Sequence, residues 1–179
     1  MLVKKRLLIF LIFIVIFSIA YSAGSASNLS EDDSKSFIKE FQHVVEGIDA
    51  IGIFTHNTSV ALPMFVPGFG IIWGSFAAWS TGLAFKALVS TTPTLAKLPP
   101  LAIIYLSPFG VMELIAYSIG MSRSFLLINT ILRRGSLKKE LRPTAIEIGI
   151  VIALLLAAAF IEYAMIQEFG STLTQSKTH

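Results

Sequence analysis

The stretch from Thr144 to Ile166, TAIEIGIVIALLLAAAFIEYAMI, decides the fold class. It carries only two charged side chains, Glu147 and Glu162, over a length sufficient to cross the hydrocarbon core of a bilayer as a helix. Pro143, whose backbone angle is fixed, suits the first turn of that helix, and a carboxylate at Glu147 is favoured by the positive helix end. The stretch therefore predicts a transmembrane helix over roughly 144–166.

The composition of the whole chain agrees with a membrane protein. Of the 179 residues, 54% are hydrophobic and 14% are charged, and the mean hydropathy is +0.75. A soluble domain carries about a quarter charged residues. The chain contains no cysteine, which excludes disulfides, thiolate metal sites and cysteine nucleophiles. We therefore expect an all-α membrane protein.

Four further apolar runs lie upstream of the last one. The first, Leu7 to Ala23, follows a basic cluster at 4–6, a pattern typical of a retained anchor or of a signal peptide. Its length favours a retained anchor. The others lie at roughly 48–62, 69–90 and 101–119, the last interrupted by Pro108, where we expect a kink. The prediction is a bundle of five transmembrane helices, or four if the first is cleaved.

The regions outside these runs complete the domain organisation. We divide the chain into an N-terminal anchor or signal peptide (1–23), an acidic extracytoplasmic segment (24–47), the helical bundle (48–167) and a polar tail (168–179). The acidic segment predicts an amphipathic interfacial helix, lying on the membrane or packed on the protein. Its apolar residues recur at helical spacing: Phe37, Ile38, Phe41, Val44 and Val45.

The placement of charge predicts the orientation. With the N-terminus inside, the inside regions 1–6, 63–70 and 120–143 hold nine of the fourteen Lys and Arg residues. This bias follows the positive-inside rule. We therefore expect a multi-pass protein of the cell membrane with a cytoplasmic N-terminus, while residues 24–47 and the C-terminus are extracytoplasmic.

The second run has an unusual polar centre, from Thr55 to Ser59, so it cannot face lipid on all sides. Pro63 and Pro67 end this run, and Gly68 allows the chain to turn back. These three residues predict a hinge into the third segment.

Counting helical rise from the segment ends places several polar residues at similar depths. His56 and Asn57 fall within about a turn of Glu113, which predicts an intramembrane polar cluster. The cluster either binds an ion, proton or substrate or serves as polar glue between helices. The same counting predicts an ion pair between Lys86 and Glu162 near the outer face.

Two segments carry a small residue every four positions, which allows close approach of a neighbouring helix. In the third segment they are Gly70, Gly74, Ala78 and Gly82, and in the last Ala145, Gly149, Ala153 and Ala157. We predict that these two ridges pack against each other. The alternative is that one ridge forms a homodimer.

The sequence predicts no catalytic residue, metal site or cofactor. His43 and His56 are the only histidines before the C-terminal residue, and neither belongs to a His-Glu-x-x-His arrangement. Ser75 follows Gly74 but lacks the second glycine of a nucleophile elbow. The basic stretch 133–142 adjoins a membrane span, so we attribute it to orientation and anionic headgroups and expect no nucleic-acid partner.

Several patches of the chain resemble the stage II sporulation protein M family of bacterial and archaeal multi-pass membrane proteins. They span roughly residues 50–166. The patches are His56-Asn57 followed by Val60-Ala61-Leu62, the glycine-rich entry Gly68 to Gly74, Pro108-Phe109-Gly110 followed by Glu113, and Ile161-Glu162 after an alanine-rich run. Similar proteins tend to have a histidine where this chain has Phe109.

The resemblance implies an all-helical membrane bundle without enzymatic activity. In sporulating bacteria such proteins belong to an assembly that recruits and regulates cell-wall hydrolases, whereas archaeal relatives have no such wall process. Our first hypothesis is a scaffold or accessory subunit of a membrane protein complex, whose partners are the lipid bilayer and other membrane subunits or a second copy. The second is a small permease or channel with a polar path formed by His56, Asn57, Glu113 and Glu162.

Overall fold

The computed structural model describes residues 3–28, 30, 32, 34–36, 38–39, 47–91 and 99–176. The helices in this part of the chain are α1 (Val3–Ser25), α2 (Ala50–Ala61), a 3-10 helix (Leu62–Phe65), α3 (Phe69–Thr91), α4 (Pro100–Leu106), α5 (Pro108–Leu132) and α6 (Lys138–Ser176). Most of the predicted amphipathic helix, including Phe37, Phe41, Val44 and Val45, lies outside the described residues.

Three of the described helices are long and apolar enough to cross a membrane. They comprise Lys4–Ser25 of α1, Pro108–Leu132 of α5 and Lys138–Glu168 of α6. The all-α membrane class is therefore confirmed, whereas the number of five spans is not. The segment predicted over 48–62 forms only the 12-residue α2 and the short 3-10 helix. Helix α3 equals α1 in length but is not one of the three.

The central helix of the protein is α5, which packs against α1, α3 and α6. Within the protein 61% of its apolar window is buried, against 28% for α1 and 22% for α6, so α1 and α6 turn most of their surface outward. Helix α1 inserts aromatic side chains into the core. The ring centroids of Phe17 and Tyr117 are 5.9 Å apart, and so are those of Phe13 and Phe125.

The chain turns between α2 and α3 at the three residues predicted as a hinge. Pro63 lies in the first turn of the 3-10 helix that follows α2. Pro67 and Gly68 form the turn before α3, and Gly68 has a φ of 76°, a conformation that favours glycine. The indole Nε1 of Trp73 donates a 2.9 Å hydrogen bond to the carbonyl oxygen of Val60, which ties α3 to the end of α2.

The predicted segment 101–119 is instead two helices that meet at Ser107. The Ser107 hydroxyl accepts a 3.1 Å hydrogen bond from the backbone N–H of Gly110, and so caps the start of α5. Because Pro108 has no N–H, a new helix begins there more readily than an old one continues. Helix α5 then runs to Leu132, into the region 120–143 that we predicted to lie inside, beyond the end of the span. Helix α6 likewise continues through Ser176 into the predicted polar tail.

The prediction that the two small-residue ridges pack against each other is wrong. The ridge of α3 faces α1 and α5: a Cβ at Gly82 would overlap the carbonyl oxygen of Tyr21, and one at Gly74 would overlap Met121. In return, a Cβ at Gly24 of α1 would overlap the carbonyl oxygen of Trp79. In α6, no atom of the described residues lies within 4 Å of a Cβ built at Gly149. Its ridge partners Ala145, Ala153 and Ala157 are also exposed. Small-residue spacing therefore gave the faces that can pack closely, but not their partners.

We expect Gly82→Leu to destabilise the protein by about 2 kcal/mol or more, because a side chain at this position meets backbone atoms that cannot rotate away. Gly149→Leu is the matched control, since its surroundings are open. Thermal unfolding in detergent micelles measures both. Equal melting temperatures for the two variants would contradict the close contact of α1 and α3.

Candidate functional site

Three helices meet at a cluster of charged side chains around Glu147. Arg6 of α1 donates to both carboxylate oxygens of Glu147, from Nε at 2.8 Å and from Nη2 at 2.9 Å. Arg123 of α5 also donates to both oxygens, from Nε at 2.7 Å and from Nη2. Glu147 thus receives two bidentate pairs, the strongest arrangement for an arginine and a carboxylate. We call these residues, with Ser122 and Glu140, the arginine cluster.

The two outer members of the arginine cluster use the remaining arginine donors. Arg6 Nη1 donates to the hydroxyl of Ser122 at 2.9 Å, and Arg123 Nη1 donates to Glu140 Oε2 at 3.0 Å. The two positive charges of the arginines are therefore balanced by the two negative charges of Glu140 and Glu147. Arg123 is only 3% exposed, so its charge depends on these partners instead of water.

A second polar contact joins α2 to α5. Asn57 Nδ2 donates a 2.6 Å hydrogen bond to Glu113 Oε1, and Asn57 is buried. Glu162 of α6 lies close enough to Glu113 for their carboxylates to interact electrostatically. The structure therefore brings Asn57, Glu113 and Glu162 together.

His56 does not join this contact. It is exposed, whereas the next residue, Asn57, is buried against α5. Successive residues of an α-helix point about 100° apart, so two neighbours at one depth seldom face the same partner. The predicted cluster of His56, Asn57 and Glu113 is therefore corrected to a contact of Asn57 with Glu113.

The predicted ion pair between Lys86 and Glu162 is wrong. No such pair occurs among the described residues. The depth estimate failed because it compares heights only. Helix α3, which carries Lys86, packs chiefly against α1, while α6 packs against α5 and α2.

The chemical capacity of these two sites differs. The arginine cluster is saturated by its own members, so it is suited to holding helices together. At the second site Asn57 bonds Glu113 and a second carboxylate, Glu162, lies within electrostatic range; among the described residues neither carboxylate is paired with a cation. The described part of the chain contains no group of three or more His, Cys, Asp or Glu side chains placed to hold a metal ion.

The arginine cluster was missed at the level of sequence. Arg123 lies in the region 120–143, which we placed inside and beyond the predicted spans. Glu147 was explained by the helix end alone. The signal available was that Glu147 lies in a predicted span, where a carboxylate needs a cationic partner.

The family model described as Stage II sporulation protein M matches residues 7–165. The matched range includes both polar sites except for Arg6, and it covers most of the chain. No curated protein and no solved structure matched.

We expect Glu147→Gln to destabilise the protein by about 3–5 kcal/mol, because it removes the counter-charge of Arg6 and one of the two counter-charges of the buried Arg123. Glu140→Gln should cost at most about 1 kcal/mol, since the Glu140 side chain is 30% exposed and bonds one arginine only. The measurement is the free energy of unfolding in micelles or bilayers. If the two variants were equally stable, Glu147 would not have the central role assigned to it.

Proposed function

We propose that this chain, which belongs to the stage II sporulation protein M family, is a non-enzymatic membrane protein that acts as a scaffold or accessory subunit of a membrane protein complex. The family resemblance found in the sequence is confirmed by the match over residues 7–165. Membership and the apolar helices make the chain a membrane protein. The subunit role is the part that we infer.

The observation that carries this proposal is the outward face of α6. Only 22% of its apolar window is buried within the protein, although the helix is long enough to span a bilayer. The outward face includes the ridge of Ala145, Gly149, Ala153 and Ala157, which is exposed in the part of the chain that the structure describes. Small residues let another helix approach closely, whereas a face adapted to lipid alone gains nothing from them. We infer that α6 contacts another membrane subunit or a second copy of this chain.

The polar residues of the helices support a structural role. The arginine cluster joins α1, α5 and α6, and Asn57 with Glu113 joins α2 to α5. Polar bonds of this kind hold transmembrane helices together. The proposal includes the orientation predicted from charge, with a cytoplasmic N-terminus and with residues 24–47 and the C-terminus outside. Nucleic acid is not among the proposed partners.

A small permease or channel is the second proposal, and one observation favours it. Glu113 and Glu162 interact within the helical bundle, and Asn57 bonds the first of them. Carboxylates inside a membrane protein commonly mark proton or ion pathways. The exposed position of His56 removes one of the four residues from this path.

Cross-linking tests the subunit proposal, because a chain without cysteine allows single-cysteine variants. We expect a photo-cross-linker attached at Gly149→Cys to capture a protein partner or a second copy in native membranes. Ile72→Cys, at a position 72% exposed on α3, is the matched control and should give lipid adducts. Lipid adducts alone at both positions would contradict a subunit contact on α6.

Flux measurements test the permease proposal. Reconstituted Glu113→Gln should fold, since an amide keeps a hydrogen-bonding partner for Asn57, but it should lose ion or proton flux if the path exists. Wild-type vesicles that show no flux of protons, ammonium or common monovalent ions would contradict the permease. If Glu113→Gln instead lowers the melting temperature without any flux in the wild type, the contact serves as helix glue.

A further inference from the structure

An exposed basic surface surrounds the connection between α5 and α6. Its members all have exposed side chains and include two lysines in the first turn of α1. We call the set the basic rim: Lys4, Lys5, Arg133, Arg134, Lys138, Lys139 and Arg142. The start of α1 lies beside the start of α6 because Arg6, next to the two lysines, bonds Glu147 of α6.

The carboxylates beside the basic rim are already engaged. Glu140 lies within the sequence of the rim, yet it accepts from Arg123. Glu147, about two turns of helix after Glu140, accepts hydrogen bonds from Arg6 and Arg123. The arginine cluster is therefore neutral within itself, and it leaves the cations of the rim without these two counter-charges.

Exposed apolar side chains are interleaved with the cations of the rim. Leu132 is 75% exposed and Leu141 is 67% exposed, and Ile131 and Leu137 are also exposed. Alternation of large apolar residues with Lys and Arg is typical of a surface at the boundary between headgroups and acyl chains. A surface for nucleic acid or for soluble anions has no need of these leucines.

The connection itself is fixed. The backbone N–H of Gly135 donates a 2.8 Å hydrogen bond to the carbonyl oxygen of Thr130, and that of Arg134 donates to Ile131 at 2.9 Å. Arg134 has a φ of 53°, which is uncommon for a residue other than glycine. The guanidinium groups of Arg133 and Arg134 therefore start from an ordered turn at the end of the α5 span.

We propose that the basic rim binds the phosphate groups of anionic lipids, with the interleaved leucines in the acyl region. Each Lys or Arg close to an anionic membrane surface strengthens binding, and seven of them at one end of the protein give a strong preference. The inference is independent of the subunit role. That role was argued from the exposed apolar face of α6, whereas this inference rests on the exposed cations of the basic rim.

The test uses the full chain in nanodiscs that contain phosphatidylcholine and spin-labelled phosphatidylglycerol. We expect the lipids immobilised by the wild type to be enriched in phosphatidylglycerol, and the enrichment to fall at high salt. Lys138→Gln with Lys139→Gln should lose most of the enrichment, because each cation contributes about fivefold, or about 1 kcal/mol. Arg133→Lys with Arg134→Lys keeps the charge and should keep the enrichment.

Lys39→Gln with Lys86→Gln is the matched control, since it removes the same charge away from the rim. Melting temperatures in phosphatidylcholine alone check that each variant is folded. The proposal is overturned if the rim variant and the control lose enrichment equally, or if neither loses any. It is also overturned if inorganic phosphate or a short RNA binds the rim in detergent while the lipid preference of the rim variant is unchanged.

Discussion

The arrangement of the apolar helices depends on one interaction, the pair of bidentate ion pairs that Arg6 and Arg123 form with the carboxylate of Glu147. A carboxylate or a guanidinium alone in a span is costly, and together they remove most of that cost only if their geometry is fixed. The hydrophobic effect does not select one packing of helices within lipid, because the acyl chains are as apolar as leucine. A charge cluster with members on α1, α5 and α6 does select one, because sliding any of these helices by a turn would break a bidentate pair.

The class of the fold and part of the polar contacts follow from the sequence. Long apolar runs and few charges leave little choice but membrane helices, and counting helical rise placed Asn57 within about a turn of Glu113, which it contacts. The same arithmetic also paired Lys86 with Glu162, and there it was wrong. Depth is a single coordinate, so it says nothing about which helices are neighbours or which way a side chain points. His56 shows the second limit, since it shares the depth of Asn57 and faces away.

Other contacts could not be predicted from the sequence, because they join residues that are distant in the chain. Arg123 looked like the border of a span, and only the position of Glu147 shows why a buried arginine is stable there. The ridge of α3 was recognised correctly as a face for close approach, but its partner is α1, through Gly24 and the backbone of Tyr21. The number of five spans is not confirmed, since three of the described helices are long and apolar enough to cross a membrane. The run at 48–62 is apolar enough to attract attention, yet Pro63 and the turn at Gly68 end it as a short helix.

The bond between Arg6 and Glu147 joins residues 141 positions apart, so it has a consequence for biogenesis. A ribosome that inserts this chain into the membrane makes α1 long before α6 exists. Until α6 emerges, Arg6 has to remain near the aqueous boundary, and Arg123 has to wait for the same acceptor. The nascent protein therefore remains an incomplete set of helices until Glu147 has been made, because only then does Arg6 gain its counter-charge.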